Sequence, residues 1–192
     1  MASRTTGVLA LQGDYALHAR MIGELGGVAR LVRRPTELDD CDGLIMPGGE
    51  STTLRKLLSR SGLDEAIVSF AKDRPVLGTC AGCILLATEL EDSQGVEPLA
   101  LLDITVRRNG YGRQVDSFEA RLEGLGANQP VAFIRAPQIR RVGPGIEVLA
   151  TLDGDPVAVR GGLVSALTFH PEVTGTVEWH REWLSAAHTG VA

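Results

Sequence analysis

The first half of the chain alternates short apolar runs with segments whose apolar residues recur at helical spacing. Buried strands are predicted at residues 7–11, 28–32, 43–46 and 76–78. Helices are predicted between them, over residues 15–25, from a cap at Ser51 onward, and over residues 64–71. Parallel strands need long crossover connections, and these are usually helices. The alternation therefore predicts an α/β fold in which a mostly parallel sheet has helices on both faces.

The second half carries β-type runs separated by turns that contain Gly, Pro and Asp. The runs lie at residues 101–107, 131–134, 146–152, 157–159 and 163–169, and a closing helix is predicted over residues 176–187. Short turns join antiparallel neighbours, so we expect antiparallel additions to the sheet. No repeat, low-complexity tract or linker interrupts the 192 residues, and a single domain over residues 1–192 is expected.

Charge and hydropathy argue against two classes of partner. The 19 Lys and Arg stand against 24 Asp and Glu, a formal net charge of −5, without a dense basic cluster. A protein that neutralises nucleic-acid phosphates needs such a cluster. The longest apolar stretches fall far short of the roughly 18 residues of a membrane-spanning helix. Residues 1–6 are polar rather than a signal peptide, so we expect a cytoplasmic protein that binds neither nucleic acid nor membrane.

The three cysteines, Cys41, Cys80 and Cys83, are too few and too unevenly spaced for a disulfide framework. We expect reduced thiols. Cys80 and Cys83 form a C-x-x-C pair, which raises a redox or zinc interpretation. A zinc site needs further ligands, and the sequence contains neither a second C-x-x-C nor a closely spaced histidine pair. No metal and no cofactor are therefore expected.

The segment Gly78-Thr79-Cys80-Ala81-Gly82 directly follows a predicted strand and precedes an apolar run at residues 84–87 that is predicted to be helical. A sharp strand-to-helix turn exposes its central side chain and requires small neighbours. Unpaired N–H groups at the start of a helix favour thiolate over thiol. The pentapeptide alone fits a buried structural cysteine equally well, but its context favours a nucleophile elbow with Cys80 as the nucleophile.

A base for this nucleophile is predicted at His170, in His170-Pro171-Glu172 at the end of a predicted strand. On extended backbone, residues two apart project to the same side, so Glu172 can orient the imidazole. These are the parts of base and acid in a Cys-His-acid triad. By itself the tripeptide better fits a loop histidine beside a solvated glutamate, and the elbow elsewhere in the chain reverses that preference.

Two glycines follow another predicted strand, in Pro47-Gly48-Gly49-Glu50-Ser51-Thr52. Glycines leave backbone N–H groups exposed, and an oxyanion needs such donors. We expect the N–H groups of Gly49 and Ala81 to form the oxyanion hole, because the second donor of an elbow is the residue after the nucleophile. Taken alone, the segment is more simply a tight turn before a helix.

With these segments assembled, the sequence resembles class I, triad-type glutamine amidotransferases, and more closely the glutaminase subunits of pyridoxal 5′-phosphate synthase. The elbow and His170-Pro171-Glu172 are shared by the whole class. The match also includes Gly7-Val8-Leu9-Ala10-Leu11-Gln12-Gly13 with His18. More specific to these subunits are Gly48-Gly49-Glu50-Ser51-Thr52, Gly112-Arg113-Gln114-Val115-Asp116-Ser117-Phe118-Glu119 and Ile134-Arg135-Ala136-Pro137. The resemblance implies a flavodoxin-like, three-layer α/β/α fold with antiparallel additions.

The resemblance also implies the residues of the site. Cys80 would be the nucleophile, His170 the base and Glu172 its partner. Glutamine would be held by six residues, namely Gly49, Glu50, Ser51, Arg108, Ile134 and Arg135. A guanidinium suits the α-carboxylate of L-glutamine, and carboxylate or carbonyl oxygens suit its α-ammonium group.

The activity implied by the resemblance is hydrolysis of L-glutamine to glutamate and ammonia through a glutamyl thioester. Members of this family pass the ammonia to a synthase subunit in a large hetero-oligomer, and docking completes their oxyanion hole. The flexible Gly48-Gly49 turn is where we expect that conformational gate.

Two other functional classes remain open from the sequence. A free-standing cysteine hydrolase or chaperone-like protein of the flavodoxin-like elbow superfamily is disfavoured by His170-Pro171-Glu172. A non-catalytic interaction module would be expected to lack Cys80, His170 or Glu172, and this chain has all three. Cys83 departs from the larger apolar residue usual in the family; we interpret it as a small buried hydrophobe that could also resolve an oxidised Cys80.

Overall fold

The computed structural model describes residues 4–93, 95–110, 117–125 and 129–189. Its strands are β1 (Thr5–Leu9), β2 (Val28–Val32), β3 (Gly43–Met46), β4 (Val76–Thr79), β5 (Ala87–Leu90), β6 (Leu102–Arg107), β7 (Ser117–Arg121), β8 (Glu123–Gly124), β9 (Pro130–Ile134), β10 (Gln138–Val142), β11 (Glu147–Leu152), β12 (Asp155–Gly161) and β13 (Val164–Leu167). Its helices are α1 (Tyr15–Glu24), α2 (Ser51–Ser61), α3 (Leu63–Phe70), α4 (Ala81–Leu86), α5 (Pro171–Thr174) and α6 (Glu178–Thr189). A 3-10 turn spans Pro35–Leu38.

The main sheet of the described chain has eight strands in the order β2-β1-β3-β4-β13-β12-β11-β8. The first five run parallel to one another. The last three continue the sheet in antiparallel fashion. Strands β10, β6 and β5 form a second sheet, and β7 pairs with β9. The mostly parallel sheet with antiparallel additions that the sequence predicts is therefore confirmed.

Alternate side chains along a strand project to opposite faces of a sheet, and both faces of this one are covered. Leu44 and Met46 point into a core cluster that also contains residues of α2, α3 and α4. Ile45, between them, belongs to a second cluster with Ile22 of α1 and Trp183 of α6. The molecule thus has helices on both sides of the sheet, which confirms the three-layer α/β/α prediction.

Several element bounds differ from the sequence prediction. The first strand begins at Thr5 and ends at Leu9, where it pairs residue for residue with β2. Ser51 is the first residue of α2 rather than its cap, because the Glu50 side chain accepts the free N–H groups of that helix. The sequence does not predict strand β10, since Arg140 and Arg141 interrupt any apolar alternation.

All three cysteines are buried and free. Cys83 lies within the apolar core cluster around α4, and burial raises the pKa of its thiol. This agrees with its interpretation as a small hydrophobe. In the described part of the chain, no helix combines the length and apolar character that crossing a membrane requires.

The parallel strands end at a common edge of the sheet, because the carboxyl ends of parallel strands lie on one side. The segments that follow β1, β3, β4 and β13 therefore meet there. These segments carry Gln12, Gly49, Cys80 and His170 respectively. Open α/β sheets bind their ligands at this edge, so the topology brings together residues that are far apart in sequence.

Candidate active site

Cys80 lies at the sharp turn between β4 and α4. Its backbone has φ 47° and ψ −99°, a combination that residues other than glycine rarely adopt. A Cβ atom on Gly78 would lie 2.5 Å from Leu86 Cδ1, and one on Gly82 would lie 2.2 Å from the carbonyl oxygen of Met46. Both neighbours must therefore be glycine. This is the close packing that the sequence predicts for an elbow.

His170 follows β13 and is held on three sides. Its backbone N–H donates to the carbonyl of Ala132 at 2.8 Å. Its Nδ1 atom lies 2.7 Å from Glu172 Oε1. A Cβ atom on Gly48 would lie 2.2 Å from His170 Cε1, so the ring packs directly on that glycine. With Nδ1 engaged by the carboxylate, Nε2 is the nitrogen left for a reacting group.

Cys80, His170 and Glu172 form one electrostatic unit. Burial lowers the pKa of His170, but hydrogen bonding to Cys80 and Glu172 outweighs it and raises that pKa to about 10. Burial likewise opposes the charge of Glu172, yet His18 and His170 hold its pKa well below the usual range. An imidazolium between a sulfur and an ionised carboxylate is the arrangement that activates a cysteine nucleophile.

A pocket of about 270 Å³ opens above Cys80 and His170. The six residues that the resemblance implies for glutamine binding all line it, namely Gly49, Glu50, Ser51, Arg108, Ile134 and Arg135. Four further lining residues are not among those predicted from the sequence, and these are Gln12, Asp14, Ile84 and Asn109. Gln12 and Asp14 follow β1, so the rule that ligands bind at the carboxyl ends of strands was the available signal for them.

Glu50 has two roles in the pocket wall. Its carboxylate accepts the backbone N–H groups of Thr52 at 3.0 Å and Thr53 at 2.7 Å, which caps α2. Burial raises the pKa of Glu50, but these bonds and that of the Thr53 hydroxyl outweigh it and lower it to about 2. Arg108 Nη2 lies 3.7 Å from Glu50 Oε1. The pocket therefore presents a guanidinium and an ionised carboxylate side by side.

The Gly48-Gly49 turn is packed against the loop that follows β1. The Glu50 N–H donates to Gln12 Oε1 at 2.9 Å. A Cβ atom on Gly49 would lie 2.4 Å from that same oxygen. Gly49 lines the pocket, whereas Ala81 is fully buried at the first position of α4. The first N–H groups of a helix have no partner within the helix, so the Ala81 N–H has the character of an oxyanion donor.

Ile134 and Arg135 end β9 beside the pocket. The carbonyl oxygen of Ile134 lies 3.9 Å from Cys80 Sγ. Arg135 has a positive φ of 43° and an exposed side chain. Backbone strain of this kind is retained where the surrounding structure fixes an unusual geometry.

One group in the described residues could hold a metal ion. Asp14, His170 and Glu172 each offer one ligand atom, and these atoms lie within 4.8 Å of one another. His170 and Glu172 already bond to each other at 2.7 Å, so two of the three ligands are engaged. Residues 112–116 of the family motif, including Arg113, lie outside the described residues, whereas its residues 117–119 begin strand β7.

Comparison with known proteins places the chain in a family. Residues 8–186 match the model of the SNO glutamine amidotransferase family. A relative from Dehalococcoides mccartyi, a pyridoxal 5′-phosphate synthase subunit PdxT, is 51% identical over 189 residues, which cover 95% of this chain and 97% of the relative. The subunit PdxT of Mycolicibacterium vanbaalenii is 50% identical over 193 residues, covering 97% and 99%.

Solved structures agree with this assignment. A crystal structure of a glutamine amidotransferase superposes with a TM-score of 0.90 at 44% identity, covering 96% of this chain and 99% of that one. The structure of PurLQS from Thermotoga maritima has a TM-score of 0.69 at 16% identity, covering 100% of both chains, and shows the shared fold alone. The chain therefore belongs to the SNO glutamine amidotransferase family.

Proposed function

We propose that this chain is the glutaminase subunit of a pyridoxal 5′-phosphate synthase. It hydrolyses L-glutamine to L-glutamate and ammonia and delivers the ammonia to a synthase subunit. The observation that carries the proposal is the alignment of Cys80, His170 and Glu172 beside one pocket. The names of the two relatives, each a synthase subunit PdxT, support the pathway.

The proposed chemistry begins with attack of the Cys80 thiolate on the side-chain carbonyl carbon of glutamine. His170, protonated and held at Nδ1 by Glu172, donates its Nε2 proton to the leaving nitrogen, and ammonia departs. A glutamyl thioester on Cys80 remains. His170 then removes a proton from water, which attacks the thioester, and glutamate leaves as the Cys80 thiolate is restored.

Both steps pass through a tetrahedral oxyanion. We assign the N–H groups of Gly49 and Ala81 as its donors. One such donor is worth about 10²–10³ in kcat in well-studied hydrolases. Because Gly49 lies in a glycine turn, docking of the synthase subunit is expected to set its orientation, which makes this turn the gate of the proposed activity.

Glutamine binding is assigned to the pocket wall. Arg108 and Arg135 suit the α-carboxylate, since guanidinium groups pair well with carboxylates. Glu50 suits the α-ammonium group, because its pKa of about 2 keeps it ionised at neutral pH. Ser51 and Ile134 complete the set with polar and backbone groups.

The wider assignment follows the same proposal. Residues 1–192 would act as a single glutaminase domain, in the cytoplasm, within a hetero-oligomer of glutaminase and synthase subunits. L-Glutamine and the synthase subunit would be its partners.

The test is glutamate release from L-glutamine, measured with and without the synthase subunit. We expect weak activity alone and a large increase with the partner. Cys80→Ala should abolish release in both conditions, whereas Cys41→Ala, which removes a buried cysteine that does not line the pocket, should keep it. Undiminished release by Cys80→Ala would contradict the proposed nucleophile, and indifference to the partner would indicate a free-standing hydrolase.

A second variant tests the base. His170→Asn should remove the proton carrier while a measured thermal unfolding transition shows that the fold persists. Normal turnover by that variant would contradict the triad.

A further inference from the structure

A buried line of side chains continues from Glu172 away from the pocket. Glu172 Oε2 lies 3.5 Å from His18 Nε2. His18 Nδ1 lies 2.8 Å from His180 Nε2, and Thr79 Oγ1 lies 3.3 Å from His18 Nε2. All four residues are at most 1% exposed. They come from α5, α1, α6 and β4, so only the folded chain assembles them.

The two carboxylate oxygens of Glu172 differ in their hydrogen bonding. Oε1 bonds to His170 Nδ1 at 2.7 Å. Oε2 is buried, and within the described ranges it has no hydrogen-bond partner. A buried carboxylate oxygen without compensation is costly. The contact at 3.5 Å with His18 exceeds the usual hydrogen-bond length, so it acts as an electrostatic contact.

The position of the proton on the His180 ring decides whether His18 Nε2, the nitrogen that faces Glu172, carries a proton. Burial lowers the pKa of His180 to about 3. The ring is therefore neutral at pH 7 and carries one proton. Its Nδ1 is buried without a hydrogen-bond partner among the residues described. Buried orphan N–H groups are rarer than under-satisfied acceptors, so the proton belongs on Nε2 and points at His18 Nδ1.

The position of the His180 proton also determines which His18 nitrogen carries a proton, and His18 contacts Glu172 of the proposed triad. Because His18 Nδ1 accepts from His180 in this arrangement, the N–H of the His18 ring lies on Nε2. That N–H then faces Thr79 Oγ1 and Glu172 Oε2 at 3.3 Å and 3.5 Å. The opposite tautomer would turn a lone pair toward the carboxylate and repel it.

We propose that His18 and His180 are positioning residues for the glutaminase reaction. His180 fixes the tautomer of His18, and His18 holds the second oxygen of Glu172 so that the first stays aligned with His170. The inference rests on the proposed function, because it concerns the alignment of the same triad.

A purely packing role explains the line poorly. Two neighbouring imidazoles and a carboxylate lose hydration on burial, which apolar side chains of the same size would not. Helix α6 is already anchored by Trp179 and Trp183 in the apolar cluster on that face. The described titratable groups around Glu172 are His18 from α1, Asp14 just before α1, His170 beside it and His180 from α6.

The test uses side chains that imitate one ring nitrogen each. Glutamine can place an amide N–H near the position of Nε2, whereas asparagine reaches only the position of Nδ1. His180→Gln therefore keeps an N–H donor to His18. His180→Asn removes that donor while leaving a side chain of similar polarity. His18→Gln keeps a donor toward Glu172, and His18→Leu removes it. Ser185→Ala, at an exposed position of α6, is the control.

Each full-length variant is assayed with the synthase subunit for kcat and KM. We expect His18→Leu and His180→Asn to lower kcat by about ten- to a hundredfold with KM within about twofold, as outer-shell positioning residues do. His18→Gln and His180→Gln should stay within about threefold of wild type, since the donor is restored. Thermal unfolding of every variant is measured alongside.

A second readout does not need turnover. Iodoacetamide labelling of Cys80, followed by mass spectrometry of its peptide across pH, reports the thiolate that His170 stabilises. When Glu172 is less well aligned, its carboxylate stabilises the His170 imidazolium less, and the imidazolium in turn stabilises the Cys80 thiolate less. The labelling midpoint should therefore move to higher pH in His18→Leu and His180→Asn, and stay near wild type in both glutamine variants.

The outcomes are separable. Wild-type kcat and labelling profiles in His18→Leu and His180→Asn would overturn the inference. So would equal losses in His180→Gln and His180→Asn that follow their thermal unfolding temperatures, because a packing role predicts that pattern. If wild type releases no glutamate even with the partner, the proposed function fails, and the labelling profiles still decide the inference. If the His18 variants do not fold, the His180 pair decides it.

Discussion

The imidazole of His170 rests directly on the backbone of Gly48. A Cβ atom at Gly48 would lie 2.2 Å from His170 Cε1 and 2.9 Å from Nδ1. Distances this short between such atoms do not occur in folded proteins, so any side chain at Gly48 must displace the ring. The glycine turn after β3 therefore sets the position of the predicted base as well as that of a predicted oxyanion donor.

Gly48→Ala should lower kcat by about a hundredfold, because a displacement of about 1 Å at a catalytic group has that effect. The variant should still bind glutamine through Arg108 and Glu50, so KM should change much less. Steady-state glutamate release in the presence of the synthase subunit measures both.

Gly23→Ala is the matched control. Gly23 lies in α1, and a Cβ atom there would meet nothing within 4 Å. This change should leave kcat unaltered and raise the free energy of unfolding by about 0.5–1 kcal/mol, the usual helix propensity difference. A normal kcat in Gly48→Ala would contradict the role given to that contact.

The elbow stores backbone strain at Cys80, whose φ is 47°. Replacing alanine by glycine ordinarily costs about 0.5–1 kcal/mol, while a strained backbone costs about 1–3 kcal/mol. Cys80→Gly should therefore be at least as stable as Cys80→Ala, and more stable by about 1 kcal/mol where the strain term dominates. Urea unfolding of the two inactive variants measures the difference.

An ordinary helical position provides the comparison. Ala66→Gly, within α3, should destabilise the protein by about 1 kcal/mol. If Cys80→Gly is less stable than Cys80→Ala by a similar amount, the elbow is not strained.

Glu50 caps helix α2 and is also proposed to bind the α-ammonium group of glutamine. Glu50→Ala removes the acceptor of two N–H groups at the start of α2 and should cost about 1 kcal/mol of unfolding free energy. The same change removes the carboxylate beside Arg108, so KM for glutamine should rise. Glu50→Asp should recover part of the stability, because aspartate is a good helix cap.

Lys56→Ala tests whether those effects are specific, since Lys56 is exposed on the same helix. It should change unfolding free energy by less than about 0.5 kcal/mol and leave KM unaltered. Unchanged KM in Glu50→Ala would remove Glu50 from the glutamine site.

The lowered pKa of His180 predicts a pH dependence of stability. The unfolded histidine takes up a proton near its ordinary pKa of 6.5, whereas the folded one resists protonation down to about 3. Since the unfolded state then binds more protons, His180 destabilises the fold as pH falls through this window, by about 1.4 kcal/mol per pH unit. His180→Gln removes that contribution.

Urea unfolding at pH 6.5 and pH 5 measures the effect. The advantage of wild type over His180→Gln should shrink by about 2 kcal/mol between these two values. Parallel curves for the two proteins would show that His180 is not held neutral.

Local sequence was enough to predict the parts of the site that depend on near neighbours in the chain. The elbow could be predicted because its geometry requires glycine at positions 78 and 82. The pairing of His170 with Glu172 was predicted from their spacing of two residues, but the expected reason was wrong, because Glu172 lies in the first turn of α5 and not on extended backbone. The sheet could be predicted because short apolar strand runs alternate with segments whose apolar residues recur at helical spacing. Strand β10 and the helix cap at Glu50 could not be predicted in this way, since their local charge patterns do not indicate the groups with which they form hydrogen bonds.

What lies around those local parts depends on the tertiary structure. His18 and His180 meet at 2.8 Å although 162 residues separate them, and neither carries a local sign of its partner. Gln12 reaches the Glu50 backbone because β1 and β3 are neighbours in the sheet. A sequence pattern reports preferences along one segment, whereas these contacts depend on which strands are adjacent and which helices cover them. Chain topology therefore decides which residues surround the proposed triad.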